Sequence, residues 1–318
     1  MTPRDDDRAT ALLAAPFTLA MAADHGITRS VVRRWLRDGA AYRVAHGVYA
    51  GSQVPDGIAT RARAVALAVP PGAVVCGMTA AWLWGVRAAA PADGAAAPVE
   101  VAVPSGRTPP RRTGCHGRVL QLEDGDATRV AGVAVTSPAR TAADVGRRAD
   151  RDTAVAVLDG FLHSGRLTAA QLAEAVERFA GLPGARRFAA AAGLADGRSG
   201  GPEESRLRLA VLDDGLPAPV PGWEAASAFG RVLRRFALAW PDLRLAVDLE
   251  FPGPTAVPLT ALPDVPAVRT RRRNVSGQSW RVVVCDPKEV TRNGSASAVV
   301  VQLRREMRDM AVSGSAAA

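Results

Sequence analysis

HGITRSVVRRWLRDGAAYRVAHGVYAG, His25 to Gly51, is the stretch whose reading decides the fold. A helix is predicted from its first half. Thr28 and Ser30 can each cap a helix start, because their hydroxyls accept from free backbone N–H groups. Gly39 supplies the left-handed residue that ends one. Val32, Trp35 and Leu36 fall at i, i+3 and i+4 and share a buried face. Arg29, Arg33 and Arg37 fall at i, i+4 and i+8 on a different face, with Arg34 beside them. Gly26 precedes the helix where a turn is needed, and Leu19 to Asp24, capped by Thr18, is the helix before it. After Gly39, Tyr42 and Val44 alternate with Arg43, and Val48 and Tyr49 follow a His46-Gly47 turn, which predicts a short hairpin. A basic helix for the major groove with a β-ribbon beside it is a winged helix-turn-helix, spanning residues 1–54. Its DNA-binding residues are then Arg29, Ser30, Arg33, Arg34, Arg37, Arg43 and His46. The alternative is an amphipathic helix with a solvated arginine face.

Composition agrees with a multidomain globular chain. The 318 residues are 48% hydrophobic and 22% charged, with a net charge of +9 and a pI near 10.8, as suits a partner of a polyanion. Lys288 is the lone lysine among 40 basic residues. So strong an arginine bias reads as a GC-rich genome, and only the placement of arginines carries weight. The clusters are Arg29 to Arg37, Arg107 to Arg112 and Arg269 to Arg273. Cys76, Cys115 and Cys285 lie far apart and form neither a disulfide framework nor a zinc pattern. Ala11 to Ala23 is apolar, but Asp5, Asp6 and Asp7 before it are wrong for a signal peptide. No apolar run reaches the length of a membrane helix. The expectation is a cytoplasmic protein with no membrane partner.

Further along, Ile58 to Val69 reads as a helix and Val99 to Val103 as a half-buried strand. Ser105 to Arg112 is a stiff basic loop in which Arg111 and Arg112 are secondary phosphate contacts. Strands are predicted near Arg118 to Leu122 and Val130 to Thr136, and residues 139–194 read as all-helical. Gly193 to Glu203 is the best linker. These segments make a mixed α/β middle domain over 55–195.

The motifs resemble a known family. T-R-S-x-x-R-R-W-x-x-x-G followed by Y-R-V-x-x-G-V-Y-A is similar to the N-terminal winged helix of AbiEi-family antitoxins of type IV toxin–antitoxin systems. Val74 to Val86 and Val133 to Arg147 are similar to that family's middle region, with Arg140, Thr141 and Asp144 matching its R-T-x-x-D. The resemblance implies a DNA-binding antitoxin or transcriptional regulator acting on its own operon. It also implies a nucleotidyltransferase-like toxin encoded nearby, with no direct contact required.

Residues 203–312 resemble a very-short-patch-repair-like endonuclease domain of the PD-(D/E)xK superfamily, with restriction-endonuclease-like α/β/α layering. The implied order is helix, strand, strand, strand, helix. Arg235 to Ala239 and Leu243 to Leu249 form a hairpin around Trp240-Pro241, Trp280 to Cys285 the next strand, and Ala298 to Met307 the closing helix. Such nucleases need converging carboxylates on a divalent ion. In the family an Asp precedes the W-P turn; here Ala237 stands there. The residual carboxylates are Glu204, Asp248 and Glu250, with Glu204 and Asp248 as weak magnesium ligands, and no histidine follows His163. The domain therefore reads as a degenerate, inactive nuclease fold with no assigned catalytic residue, and magnesium is implied only for an active one. Arg269, Arg271, Arg272 and Arg273 match a basic helix that the family places after its acids, a further phosphate grip. The alternative functions are a metal-dependent endonuclease targeted by the winged helix, and an interaction protein whose winged helix docks protein.

Overall fold

The computed structural model describes residues 3–91, 98–110, 114–227, 230–250, 268–287, 290 and 296–315. At the N-terminus it orders α1 (Pro3–Leu13), β1 (Phe17–Thr18), α2 (Leu19–Asp24), α3 (Arg29–Arg37), β2 (Ala41–Ala45) and β3 (Val48–Gly51). Thr18 Oγ1 accepts from Met21 N at 3.3 Å and starts α2. Thr28 precedes α3 but does not cap it; its hydroxyl bonds Ser30 Oγ at 2.8 Å instead. Gly39 adopts φ 72° just past the helix, and Gly47 φ 72° in the hairpin turn, conformations that glycine reaches without a Cβ penalty. The strands form an antiparallel sheet in the order β1-β3-β2. Val32, Trp35, Phe17, Tyr49 and Leu12 fill the core, with Trp35 edge-on to Phe17 at 6.3 Å. The apolar face read from the spacing is the buried one. α1 had no sequence signal; Leu12 near its end is buried in the same core as Val32 and Trp35.

Next come α4 (Ile58–Ala68), β4 (Val74–Val75), α5 (Gly77–Leu83), β5 (Val99–Val103), β6 (Cys115–Val119), β7 (Ala127–Val130) and β8 (Val133–Thr136). The sheet order is β6-β5-β4-β8-β7. The segment read as a single strand from Val130 is a hairpin, turning at Ala131 (φ 45°) and Gly132 (φ 87°). Gly77 is required at the head of α5: its φ is +57°, and a Cβ there would run into the Glu100 carboxylate, which accepts from Met78 N at 3.0 Å. Four helices follow, α6 (Pro138–Arg148), α7 (Arg151–His163), α8 (Ala169–Arg178) and α9 (Ala185–Gly193), in the region read as helical. Ser137 caps α6 and Pro138 occupies its first turn.

The chain divides into two compact units, residues 1–149 with 166–190, and residues 150–165 with 191–318. The first 54 residues thus share a unit with the sheet that follows them, and α7 groups with the C-terminal part. The glycine-rich stretch read as a linker is folded into the second unit: Asp196 N donates to Asp159 Oδ1 at 2.6 Å, and the Gly197 carbonyl lies 2.9 Å from His163 Nδ1.

The second unit contains α10 (Pro202–Asp213), β9 (Val220–Pro221), β10 (Glu224–Ala226), β11 (Val232–Arg235), β12 (Leu238–Trp240), β13 (Leu245–Leu249), β14 (Val268–Val275), β15 (Gln278–Cys285) and α11 (Ala296–Ser315). The five-stranded sheet runs β14-β15-β13-β12-β9, with β12 antiparallel and β15 parallel to β13. Leu207 and Val211 of α10 share one apolar cluster with Val299 and Leu303 of α11 and with Leu245, Val247 and Val283 of the sheet. Trp223, Phe236 and Trp280 stack in a second cluster with Ala246, Val282 and Val284. Among the described residues this second face carries the β10–β11 ribbon, where α/β/α layering predicts a helix. Trp223 of the turn before β10 packs there against Phe236 and Trp280.

Residues 269–273 also differ from expectation. They lie in a strand, β14, not in a basic helix. Arg269, Arg271 and Arg273 alternate with Val268, Thr270 and Arg272, a period of two. Ser276 (φ 52°) and Gly277 (φ 78°) then form a two-residue turn into β15, and such a turn suits the twist of a hairpin.

Candidate nucleic-acid interface and carboxylate cluster

Burying Val32 and Trp35, with Val31 and Leu36 packed beside them, turns the polar face of α3 outward. Arg29, Ser30, Arg33, Arg34 and Arg37 are all exposed, and so is Arg43 on β2. Among the described residues no carboxylate forms an ion pair with these arginines. Arg43 lies 5.9 Å from the Tyr49 ring centroid, a cation–π contact that steadies it on the ribbon. Five guanidiniums thus stand on one helix and its adjoining strand with their charge uncompensated, the arrangement phosphate binding requires. His46 departs from the set. It is half-buried, and its ring is packed against the Gly114 backbone, where a Cβ would collide with it. Arg111 and Arg112 lie outside the described residues.

The three residual nuclease carboxylates are each held by arginine. Arg235 grips Glu204 through both oxygens, at 2.7 and 2.8 Å, and Gly200 N donates to the same carboxylate at 2.7 Å. Arg234 is hydrogen-bonded to Asp248. Glu250 meets Arg269 at 2.8 Å and Arg271 and Arg273 at 3.5 Å. Arg272 projects between them in sequence, on the alternate side of the strand. A magnesium site needs several carboxylate oxygens turned to one point with their charge free for the ion. Here guanidiniums occupy those oxygens, and Ala237 is buried among apolar side chains. Among the described residues no three His, Cys, Asp or Glu side chains converge. The residues present do not fit a divalent ion. Of the arginines read as phosphate contacts in β14, Arg269, Arg271 and Arg273 are therefore engaged with Glu250, while Arg272 is exposed on the other side of the strand.

The R-T-x-x-D residues form a buried ion network. Asp144 accepts from Arg140 Nε at 3.0 Å, Arg147 at 2.6 Å and Arg148 at 2.9 Å. Arg140 also bonds Asp126 at 2.7 Å and the Gln121 carbonyl at 2.8 Å, while the Thr141 and Thr136 hydroxyls lie 2.7 Å apart. Burial holds the Arg147 guanidinium below its ordinary value, against the opposing pull of Asp144. Sequence reasoning found the motif without this role, because Arg147, Arg148 and Asp126 gave no separate signal. Cys76 is buried, which pushes its thiol up to about 12 and keeps it unreactive.

Comparison with known proteins places the chain among relatives. It is 32% identical over 257 residues to the uncharacterized protein Rv2248 of Mycobacterium tuberculosis H37Rv, covering 81% of this chain and 89% of that protein. The uncharacterized protein MT2308 of strain CDC 1551 matches equally. The chain belongs to the family of these mycobacterial proteins. Residues 73–195 match the family model of the AbiEi antitoxin C-terminal domain, which relates the chain to regulators of toxin–antitoxin systems. The match begins at Ala73, just before β4, and takes in the Arg140–Asp144 network. The crystal structure of the RV2827C protein from Mycobacterium tuberculosis is similar at 15% identity and a TM-score of 0.34, over 71% of this chain and 90% of that one. Among the described residues no helix is long and apolar enough to cross a membrane.

Proposed function

We propose that the chain is an antitoxin-like transcriptional regulator of the cytoplasm that binds double-stranded DNA through its N-terminal 54 residues, a winged helix-turn-helix, and represses its own operon. The observation that carries this reading is the outward row Arg29, Arg33, Arg34 and Arg37 on α3, flanked by Arg43 on the ribbon. The element order α1-β1-α2-α3-β2-β3 supports it, with α3 as the groove-entering helix and β2–β3 as the wing. A nucleotidyltransferase-like toxin encoded nearby is the proposed functional partner, and repression requires no contact with it. The C-terminal sheet is proposed as a nuclease-like fold that holds no magnesium and cuts no DNA, because arginines neutralise Glu204, Asp248 and Glu250. This tells against the endonuclease reading.

The test is a binding titration of the full chain on its own upstream DNA at several salt concentrations. Each phosphate contact removed lowers the salt slope by about one, and each base contact removed costs about 1–3 kcal/mol of specificity. Arg33→Ala with Arg37→Ala is expected to weaken binding in this way. Unchanged affinity in that double variant would overturn the assignment and leave the protein-docking alternative.

A further inference from the structure

A cleft of about 600 Å³ opens in the first unit, within the range of small-molecule sites. Arg140, Arg147, Arg148 and Arg187 line it. The carboxylates bonded to these four are Asp144, shared by three of them, and Asp126, bonded to Arg140 and already in contact with Arg178. Four guanidiniums against two carboxylates leave the cleft positive. Arg147 Nε is buried with no hydrogen-bond partner among the described residues, although the same guanidinium reaches Asp144 and the Pro183 carbonyl. A buried donor without an acceptor is costly; closed to solvent, it adds to the positive field of the cleft without touching a ligand there.

The walls supply a second feature. Val119 and Leu182, which also line the cleft, are 46% and 40% exposed, unusual for large apolar side chains. They form an apolar lip beside the charged floor. Arg148 is part-exposed and bonds Asp144 through one nitrogen, and Arg187 is exposed and donates one N–H to the Ala149 carbonyl at 2.5 Å. Both keep further N–H donors, and a planar guanidinium binds phosphate two-fold and stacks on flat rings.

We propose that this cleft binds a small phosphate ester of the mononucleotide class, its phosphate on Arg148 and Arg187 and its ring against Val119 and Leu182. None of the residues lining the cleft belongs to α3 or to the ribbon beside it. The site is therefore independent of the DNA reading and gives the regulator a place for a small effector.

The experiment is calorimetric titration of the full chain with adenosine monophosphate, guanosine monophosphate, adenosine and inorganic phosphate. A nucleoside monophosphate is expected to bind, more tightly than phosphate alone, with adenosine binding least. Arg148→Gln with Arg187→Gln is expected to weaken nucleotide binding by about tenfold or more, the loss of a charge-assisted hydrogen bond. The melting temperature without ligand is the folding control. Should that variant fold poorly, Leu182→Asp carries the test, since its side chain is exposed and the new carboxylate repels phosphate. Three results overturn the proposal: no heat from either nucleotide at millimolar concentration, equal affinity in the variants, or phosphate binding as tightly as the nucleotides. Loss of duplex DNA affinity in the arginine variant without any nucleotide binding also overturns it and assigns the cleft to the DNA backbone.

Discussion

Asp144→Ala removes the acceptor that three arginines share. The Asp144 carboxylate is 1% exposed, and the Arg140 and Arg147 side chains are 5% and 4% exposed, whereas Arg148 is 39% exposed. Breaking a buried pair by deleting one partner costs about 3–5 kcal/mol, because the remaining charge stays buried. The partners decide where in that range the value falls. Arg140 keeps Asp126 and the Gln121 carbonyl. Among the described residues Arg147 keeps only the Pro183 carbonyl, at 3.1 Å. The loss is therefore mainly that of Arg147, at the lower end, about 3 kcal/mol. A unit of this size shifts by about 2–4 °C per kcal/mol, so the melting temperature should fall by about 6–12 °C. Arg148→Ala is the control. Its bond to Asp144 is solvent-screened and contributes about 1 kcal/mol at most. Differential scanning calorimetry of the full chain at neutral pH reads both. If Asp144→Ala melts no lower than Arg148→Ala, the R-T-x-x-D network does not stabilise the unit and the reasoning fails.

Trp35→Ala should destabilise the first unit by about 3–5 kcal/mol through the cavity left beside Phe17 and Val32; a variant with unaltered melting and weaker DNA binding would show Trp35 to be a contact residue. Burial raises the Glu306 carboxyl, but hydrogen bonds from Thr270, Arg281 and Gln302 outweigh it and hold the group below its ordinary value of 4.5. The stabilisation is thus complete above pH 4.5 and is lost as pH falls through the lower folded value. Glu306→Gln should flatten the acid limb of a stability–pH curve, and an unchanged limb would contradict the assignment. Plasmid and mismatch-containing duplex incubated with the full chain in magnesium or manganese should remain intact; cleavage that disappears in Glu204→Ala or Asp248→Ala would restore the endonuclease reading.

Local signals in the chain determined the helix–helix–hairpin segment near the N-terminus. Thr18 caps, Gly39 stops, and the His46-Gly47 pair turns the chain within a few residues of the bonds they control, so the reading needed no distant partner. The same holds for Ser137-Pro138 at the head of α6. Val32, Trp35 and Leu36 also revealed their buried face, because the helical repeat alone groups them. By contrast, β14 was misread although Arg269, Arg271 and Arg273 alternate. Four arginines in five residues hide a period of two from a hydrophobicity pattern, and the Ser276-Gly277 turn was the signal that could have corrected it. Tertiary structure alone decided what the charges do. Glu204 and Arg235 are distant in sequence, as are Glu250 and Arg269, and Arg148 and Arg187. A carboxylate holds a metal, pairs with an arginine or stays solvated according to which charges reach it, and those distances arise only when separate elements pack. The chain therefore announced its arginines and acids, and the packed fold settled which of them pair with one another.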